Sequence, residues 1–301
     1  MGFRSVEITK PSEIHIKNGQ MHIEQEVGKV AIPLEDIAVI TCFGSNIRIS
    51  TMGLIKIAEY GIVFQCIDEK YMPRALLTPC ESNSRQALVM NKQIELCNER
   101  RDELWRQIII SKIENQSRVL SILGLDGAEK IATYSLQVLP GDSDNKEAIA
   151  AKEYFEYYHS GLNRRMGDPI NNCLNYGYAV LRSAVIRSAI TSGFLMSRGL
   201  FHKNQFNAFN LADDLIEPWR PMVDIIATSV VTSSEWLSKT QRYKLANVLH
   251  NSCMIDKKKT TILAGIEIMV DSIRNYIVDE TVDRIILPNV LPVEELGLIT
   301  E

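Results

Sequence analysis

Residues 85–124, RQALVMNKQIELCNERRDELWRQIIISKIENQSRVLSILG, contain no proline and no glycine before Gly124, and they divide the chain. Within them Leu88, Ile94, Leu104, Ile108, Ile109, Ile113 and Leu120 recur at helical spacing, which predicts one long helix or two nearly continuous ones. Ahead of this stretch the period is two. In EIHIKNGQMHIE, residues 13–24, Ile14 and Ile16 precede Asn18-Gly19, and Met21 and Ile23 follow it. That is a hairpin signal, because the tight turn needs positive φ at both central positions. Residues 28–33, 36–41 and 61–67 read as further strands, and 51–60 as a short helix with Thr51 as N-cap and Gly61 at its end. Behind the dividing stretch, 129–139, 147–159, 170–197, 211–217, 221–234, 239–252 and 257–279 read as helices, and ILPNVLP at 286–292 as irregular. The expected class is α+β: a small β domain over residues 1–80, then a large all-α domain over 81–301.

The composition, 301 residues with 46% hydrophobic and 23% charged, is that of an ordinary globular chain and excludes disordered and collagen-like classes. No run of about 18 apolar residues predicts a membrane span, and the start, MGFRSVEITKPSEIHIKNG, lacks the apolar core of a secretory signal. Six cysteines are scattered without a CxxC pair, which argues against a zinc ribbon and for free thiols buried in a reducing cytoplasm. The expectation is a soluble, cytoplasmic protein with no membrane partner. The net charge of −4, taken whole, argues against nucleic acid. Residues 276–301, however, hold six acids and one base, −5, and −4 less −5 leaves residues 1–275 at +1. The acidic C-terminal segment is thereby a candidate for partner docking, and the placing of the bases matters more than their sum.

Four residues attract chemistry. Glu147 stands at a helix start, His202 in the polar, turn-rich RGLFHKNQFNAFN (198–210), and Asp214 and Glu217 at i,i+3 in ADDLIEPWRP (212–221). Asn210 reads as the N-cap of that helix, with Asp213 three residues on. Imidazole plus carboxylates is a ligand set for a hard or borderline divalent cation. Each has a plainer reading too: Glu147 as a first-turn acid, Asp213 as a cap, Glu217 and Arg220 as a surface pair. The bases are grouped: Lys239, Arg242, Lys244, Lys257, Lys258 and Lys259; Arg164 with Arg165; and Arg100, Arg101, Arg106, Lys112 and Arg118 along the long helix. Each group is either a solvated face or a phosphate-contacting one.

Four blocks of the chain resemble the CRISPR-associated protein one family, the integrase-endonucleases of spacer acquisition. They are EAIAAKEYF at 147–155, with Ala148 where the family has Gly; GDPINNCLNYGYAVL at 167–181; Gly199 through His202; and LADDLIEPWRPMVD at 211–224. LWRQIIISKIENQSRVL at 104–120 is similar as well. The resemblance implies an N-terminal β-sandwich-like domain with a dimerisation role and a helical catalytic domain. It implies Mg²⁺ or Mn²⁺ held by Glu147, His202 and Glu217, with Asp214 orienting a ligand. It further implies a homodimer, assembly of two dimers around a central dimer of CRISPR-associated protein two, and joining of double-stranded DNA with single-stranded ends to repeat DNA by transesterification. The length and the MGFRSVEI start resemble type II systems, which adds their effector as a partner. Arg164, Arg165, Arg220, Lys239, Arg242, Lys244, Lys257, Lys258 and Lys259 are then candidate DNA contacts, and Tyr176, Tyr178 and Trp219 candidates for base stacking or core packing. Two rivals share these residues: a metal-dependent nuclease cutting branched DNA in repair, and a non-catalytic DNA-binding scaffold. A zinc hydrolase lacks an HExxH motif here.

Overall fold

The computed structural model describes residues 4–43, 46–68, 73–77, 79, 84–159, 168–234 and 236–297. The chain forms two compact units, Met1–Ser84 and Arg85–Glu301.

In the first unit, β1 (Arg4–Ile8), β2 (Ser12–Lys17), β3 (Gln20–Gln25), β4 (Gly28–Pro33), β5 (Ile37–Phe43) and β6 (Ile47–Ile49) precede a helix, α1 (Thr51–Glu59), and then β7 (Val63–Ile67) and β8 (Pro73–Leu77). The hairpin forms as its sequence demands: Ile14 pairs with Ile23 and Ile16 with Met21, around Asn18 and Gly19 at φ 52° and 72°. Two four-stranded sheets result, ordered β1-β5-β7-β8 and β4-β3-β2-β6. Ile8, Ile37, Ile40 and Phe64 of the first share one core with Ile14, Met21 and Ile23 of the second and with Ile57 of α1. The cap of α1 is Ser50, whose hydroxyl accepts from the Gly53 amide, and not Thr51.

The second unit is helical: α2 (Gln86–Glu95), α3 (Asn98–Ile122), α4 (Ala128–Ser135), α5 (Lys146–Tyr158), α6 (Pro169–Thr191), α7 (Asn210–Leu215), α8 (Arg220–Val230) and α9 (Lys239–Ala246), then a hairpin of β9 (Ser252–Ile255) and β10 (Lys258–Thr261), then α10 (Ile262–Val278). The dividing stretch is thus two helices. Leu88 and Ile94 lie exposed, and α2 instead buries Val89 and Gln93. The α3 face of Leu104, Ile108, Ile109, Ile113 and Leu120 is fully buried. The hairpin departs from the helices expected at 239–252 and 257–279; Asp256 and Lys257 take φ of 48° and 60° in its two-residue turn without a glycine to announce it. Helix α7 stops at Leu215, short of the expected 217, because Pro218 has no amide to donate; Glu217–Trp219 form a separate 3₁₀ turn.

Residues 286–292 pack back as a strap. Asn115 of α3 donates to the carbonyls of Pro218 and Pro288, both at 3.0 Å, and accepts from the Val290 amide at 3.2 Å. Arg100 lies over the Tyr276 ring at 4.2 Å and donates to the carbonyls of Tyr276 and Val282 at 2.7 and 2.8 Å, closing the end of α10. Among the described residues no helix is long and apolar enough to cross a membrane. Of the cysteines, Cys42, Cys173 and Cys253 are buried free thiols, whereas Cys66 and Cys97 are exposed, contrary to the expectation; Cys80 lies outside the described residues.

Candidate active site and nucleic-acid interface

Glu147 is placed by a turn before α5. Asp142 (φ 52°) and Asn145 (φ 55°) take left-handed backbone, and the Asp142 carboxylate accepts from the amides of Lys146 and Glu147 at 2.8 and 3.1 Å. It thus satisfies two of the donors that a helix start leaves open, which sets Glu147 in the first turn of α5. Burial pushes the Asp142 carboxyl up, against those two hydrogen bonds.

Glu217 enters from the 3₁₀ turn before α8 and lies 6% exposed. Its Oε1 accepts from Arg220 Nε at 2.9 Å, and its Oε2 is 2.5 Å from Lys112 Nζ. The same ammonium contacts Glu147 Oε1. Lys112 is the residue that sequence reading missed. It sits on α3 amid bases that read as a solvated or a phosphate-contacting face, yet it is 6% exposed and clamped between carboxylates 35 and 105 positions away. Burial acts to lower its affinity for a proton, but Glu217 and Glu147 more than compensate and raise it. Burial likewise works against an ionised Glu217, and Arg220 and Lys112 override it, holding the carboxyl down to about 2. Oε2 is thereby committed to the Lys112 ammonium.

His202 is positioned by Asp214. The fully buried Asp214 carboxylate accepts from the amides of Leu200, Phe201 and His202 at 2.5, 3.2 and 3.1 Å, and faces His202 Nδ1 at 2.7 Å. Gly199 makes this wrap possible: a Cβ there would stand 2.4 Å from the His202 carbonyl and 2.7 Å from Asp214 Oδ2. The hydrogen bond to Asp214 raises the imidazole's affinity for a proton, against burial. Nδ1 being committed to Asp214, Nε2 is the nitrogen that a ligand would meet. Asn210 is not the helix cap; it lies inside α7, and its amide donates to the carbonyls of Ser197, Asn204 and Asn207. Asp213 binds Arg182 Nε and Asn207 Nδ2, both at 2.6 Å.

The three residues expected as ligands do not all meet at one point. Glu147 and Glu217 converge on one point, and His202 hangs on a separate carboxylate. Among the described residues no three His, Cys, Asp or Glu side chains close into a metal-holding cluster, and the point where the two carboxylates meet is taken by the Lys112 ammonium. Two carboxylates and an imidazole whose Nε2 is left uncommitted by the Nδ1 contact to Asp214 are nonetheless, by their chemistry, a donor set that suits Mg²⁺ or Mn²⁺.

Arg220 is tied to Glu217 and lies 4.7 Å from the Tyr178 ring centre, which makes it an anchor of the site more than an open phosphate contact. Tyr178 and Tyr154 hydroxyls donate to the buried Asp224 carboxylate at 2.5 and 2.7 Å. Tyr176, Tyr178 and Trp219 are all buried and serve the core, not a base stack. Lys239 is exposed at the start of α9, Lys257, Lys258 and Lys259 are exposed on the β9–β10 hairpin, and Lys244 is half-buried. Arg242 donates to the Leu237 carbonyl at 2.6 Å. Arg164 and Arg165 lie outside the described residues.

Residues 6–264 match the family model described as CRISPR associated protein Cas1. The chain is 33% identical over 300 residues to the CRISPR-associated endonuclease Cas1 of Neisseria meningitidis serogroup C (strain 8013), covering 98% of this chain and 99% of that protein. A solved CAS1 protein from Thermotoga maritima superposes with a TM-score of 0.78 at 18% identity, over 93% of this chain and 99% of that one. A casposase bound to integration product gives 0.75 at 17%, over 93% and 91%. At those identities the likeness to the two structures is one of fold.

Proposed function

The chain belongs to the CRISPR-associated protein Cas1 family, and from that premise we propose that it is a divalent-cation-dependent DNA endonuclease and integrase of CRISPR adaptation. It joins the 3′-hydroxyl ends of spacer DNA to a repeat array by transesterification. The observation that carries this reading is the meeting of Glu147 and Glu217, 70 residues apart in sequence, on the buried Lys112 ammonium, together with a histidine whose ring is oriented by the buried Asp214. Glu147, Glu217 and His202 would hold Mg²⁺ or Mn²⁺. When bound, the ion supplies Lewis acidity at the scissile phosphate and lowers the pKa of the attacking hydroxyl.

The chain's own residues do the rest. Asp214 keeps Nδ1 of His202 occupied and presents Nε2. Arg220 fixes the rotamer of Glu217 through Oε1, and Oε2 would ligate once the Lys112 ammonium gives way to the ion. Lys112, in the same cluster, places a positive charge where negative charge builds on phosphate oxygens. Lys239, Lys244, Lys257, Lys258 and Lys259 set the register of the duplex through its phosphates. The partners on this reading are a second copy through the β unit, CRISPR-associated protein two, spacer DNA with single-stranded ends and repeat DNA.

Glu147→Ala, His202→Ala and Glu217→Ala are each expected to abolish joining of a fluorescent duplex to repeat DNA while the protein stays dimeric. All three joining at the wild-type rate in a magnesium- or manganese-supplemented assay overturns the site. The scaffold reading takes support from Lys112 already filling the gap between the carboxylates. Calorimetric titration with Mn²⁺ separates the two, since a scaffold has no saturable site that is lost in His202→Ala.

A further inference from the structure

Both oxygens of the Glu217 carboxylate are already taken. Oε1 accepts from Arg220 Nε at 2.9 Å, and Oε2 stands 2.5 Å from Lys112 Nζ, which also contacts Glu147 Oε1. A divalent ion bound by both glutamates must therefore displace one of the two cations. They are not equally held. Arg220 is also seated over the Tyr178 ring, 4.7 Å from its centre. Among the described residues the Lys112 ammonium has no partner but the two carboxylates. Lys112 is the cation free to move.

Stability is a poor reason for a lysine at this place, because apolar side chains of equal volume are often as good as a buried ion pair. Charge supplies a better one. Lys112 and Arg220 balance Glu147 and Glu217, two charges against two, so the metal-free cluster is neutral. A dication entering with the ammonium still in place would leave an excess of two positive charges among largely buried groups. An ammonium that leaves needs a new anion, since a charge out of water and unpaired is costly. The way out lies on the Glu147 side, whose side chain is 29% exposed against 8% for Glu217. On a four-carbon stem, an ammonium serves a phosphate oxygen as a movable point charge.

We propose that Lys112 is an internal counter-cation that closes the metal site until DNA arrives: ammonium and ion are alternative occupants between Glu147 and Glu217, and a DNA phosphate receives the ammonium when the ion enters. This rests on the divalent-cation reading above and adds a condition to it. Ion and DNA each strengthen the binding of the other, as reciprocal coupling requires. Without DNA the chain holds its ion weakly, which keeps an idle nuclease from cutting.

The test is the Mn²⁺ affinity of the full chain by calorimetry, alone and with a duplex whose 3′ ends lack the hydroxyl, so that nothing is joined. Wild type is expected to bind Mn²⁺ about 5- to 150-fold more tightly with the duplex than without it. Lys112→Met keeps the stem and drops the charge. Without DNA it is expected to bind Mn²⁺ about 5- to 150-fold more tightly than wild type, and to lose most of the gain that DNA brings. A lysine that only braces the fold gives the reverse, weaker Mn²⁺ binding in Lys112→Met or an undiminished effect of DNA, and either result overturns the proposal. If Lys112→Met does not fold, wild type decides. Its lysines are acylated with an amine-selective reagent in EDTA, in Mn²⁺, and in Mn²⁺ with the duplex, and mapped by mass spectrometry. Lys112, 6% exposed, is expected to be protected, then labelled, then protected again. Protection unbroken by saturating Mn²⁺ means that the ammonium has not left, and the proposal fails. If no saturable Mn²⁺ site is lost in His202→Ala, the functional reading fails first and this one with it. If that site exists and Lys112→Met binds the ion as wild type does, this one fails alone.

Discussion

A lysine whose side chain is 8% exposed keeps its charge only where carboxylates repay its lost hydration, and Lys112 has two. Removing it leaves Glu147 and Glu217 facing each other. Lys112→Gln is therefore expected to destabilise the metal-free chain by about 3 kcal/mol, the lower end for a broken buried pair because the Glu147 side chain is 29% exposed. That corresponds to a fall of about 6–12 °C in Tm in EDTA, recovered in Mn²⁺, which thermal melts in the two buffers read directly. His202 gives a second handle. Its proton affinity is raised by Asp214, so the ring signal in a metal-free NMR titration should have its midpoint above the ordinary 6.5, and Asp214→Asn should bring it down. A raised folded value means that the charged pair adds stability below about pH 6.5, lost as pH rises through the folded value. Proton and cation compete for this imidazole, so Mn²⁺ affinity should climb over that same upper window.

At the scale of elements, close approaches decide what sequence can tell. The Asn18-Gly19 hairpin and the α2–α3 stretch were legible because turn chemistry and period act within a dozen residues. The β9–β10 hairpin was not, since Asp256 and Lys257 bend without glycine and the flanking residues also suit a helix. Lys112 was illegible for a different reason: amphipathic spacing sorts polar from apolar, but its partners come from α5 and from the turn before α8, far along the chain. Glu147, His202, Asp214 and Glu217 stood out by residue type and local pattern, but only the resemblance joined three of them as ligands with Asp214 behind; spacing alone equally allowed Glu147 as a first-turn acid and Glu217 as a surface partner of Arg220. Gly199 shows how tightly the elements hold them. Gly199→Ala pushes a methyl carbon into the His202 carbonyl and Asp214, with an expected cost of about 1–3 kcal/mol. Because the loop that aims His202 must shift, Mn²⁺ affinity by calorimetry should also fall about 10- to 100-fold.

For the whole molecule, the −4 of the sequence hid an acidic C-terminal segment, and the structure gives that segment a structural duty besides any docking role. Ile285, Val290, Leu291 and Leu296 are buried, and Lys259 pairs with Glu295 at 3.8 Å. Deleting residues 280–301 removes these four apolar side chains, worth about 1.5–3 kcal/mol each when fully buried. Against the 5–15 kcal/mol of a typical domain, the truncated chain should lose most of the cooperativity of its helical unit in urea, as read by far-UV circular dichroism. Point reversals at Glu294 or Glu301 are the cleaner probe of docking. Asn115 adds a last consequence. One amide grips the strap at Pro288 and Val290 and, by its other bond, the Pro218 carbonyl, one peptide beyond Glu217. A pull on the C-terminal strap is thus a pull on the hinge pin of the Glu217 turn, and the chain's last segment and its central carboxylate share one mechanical fate.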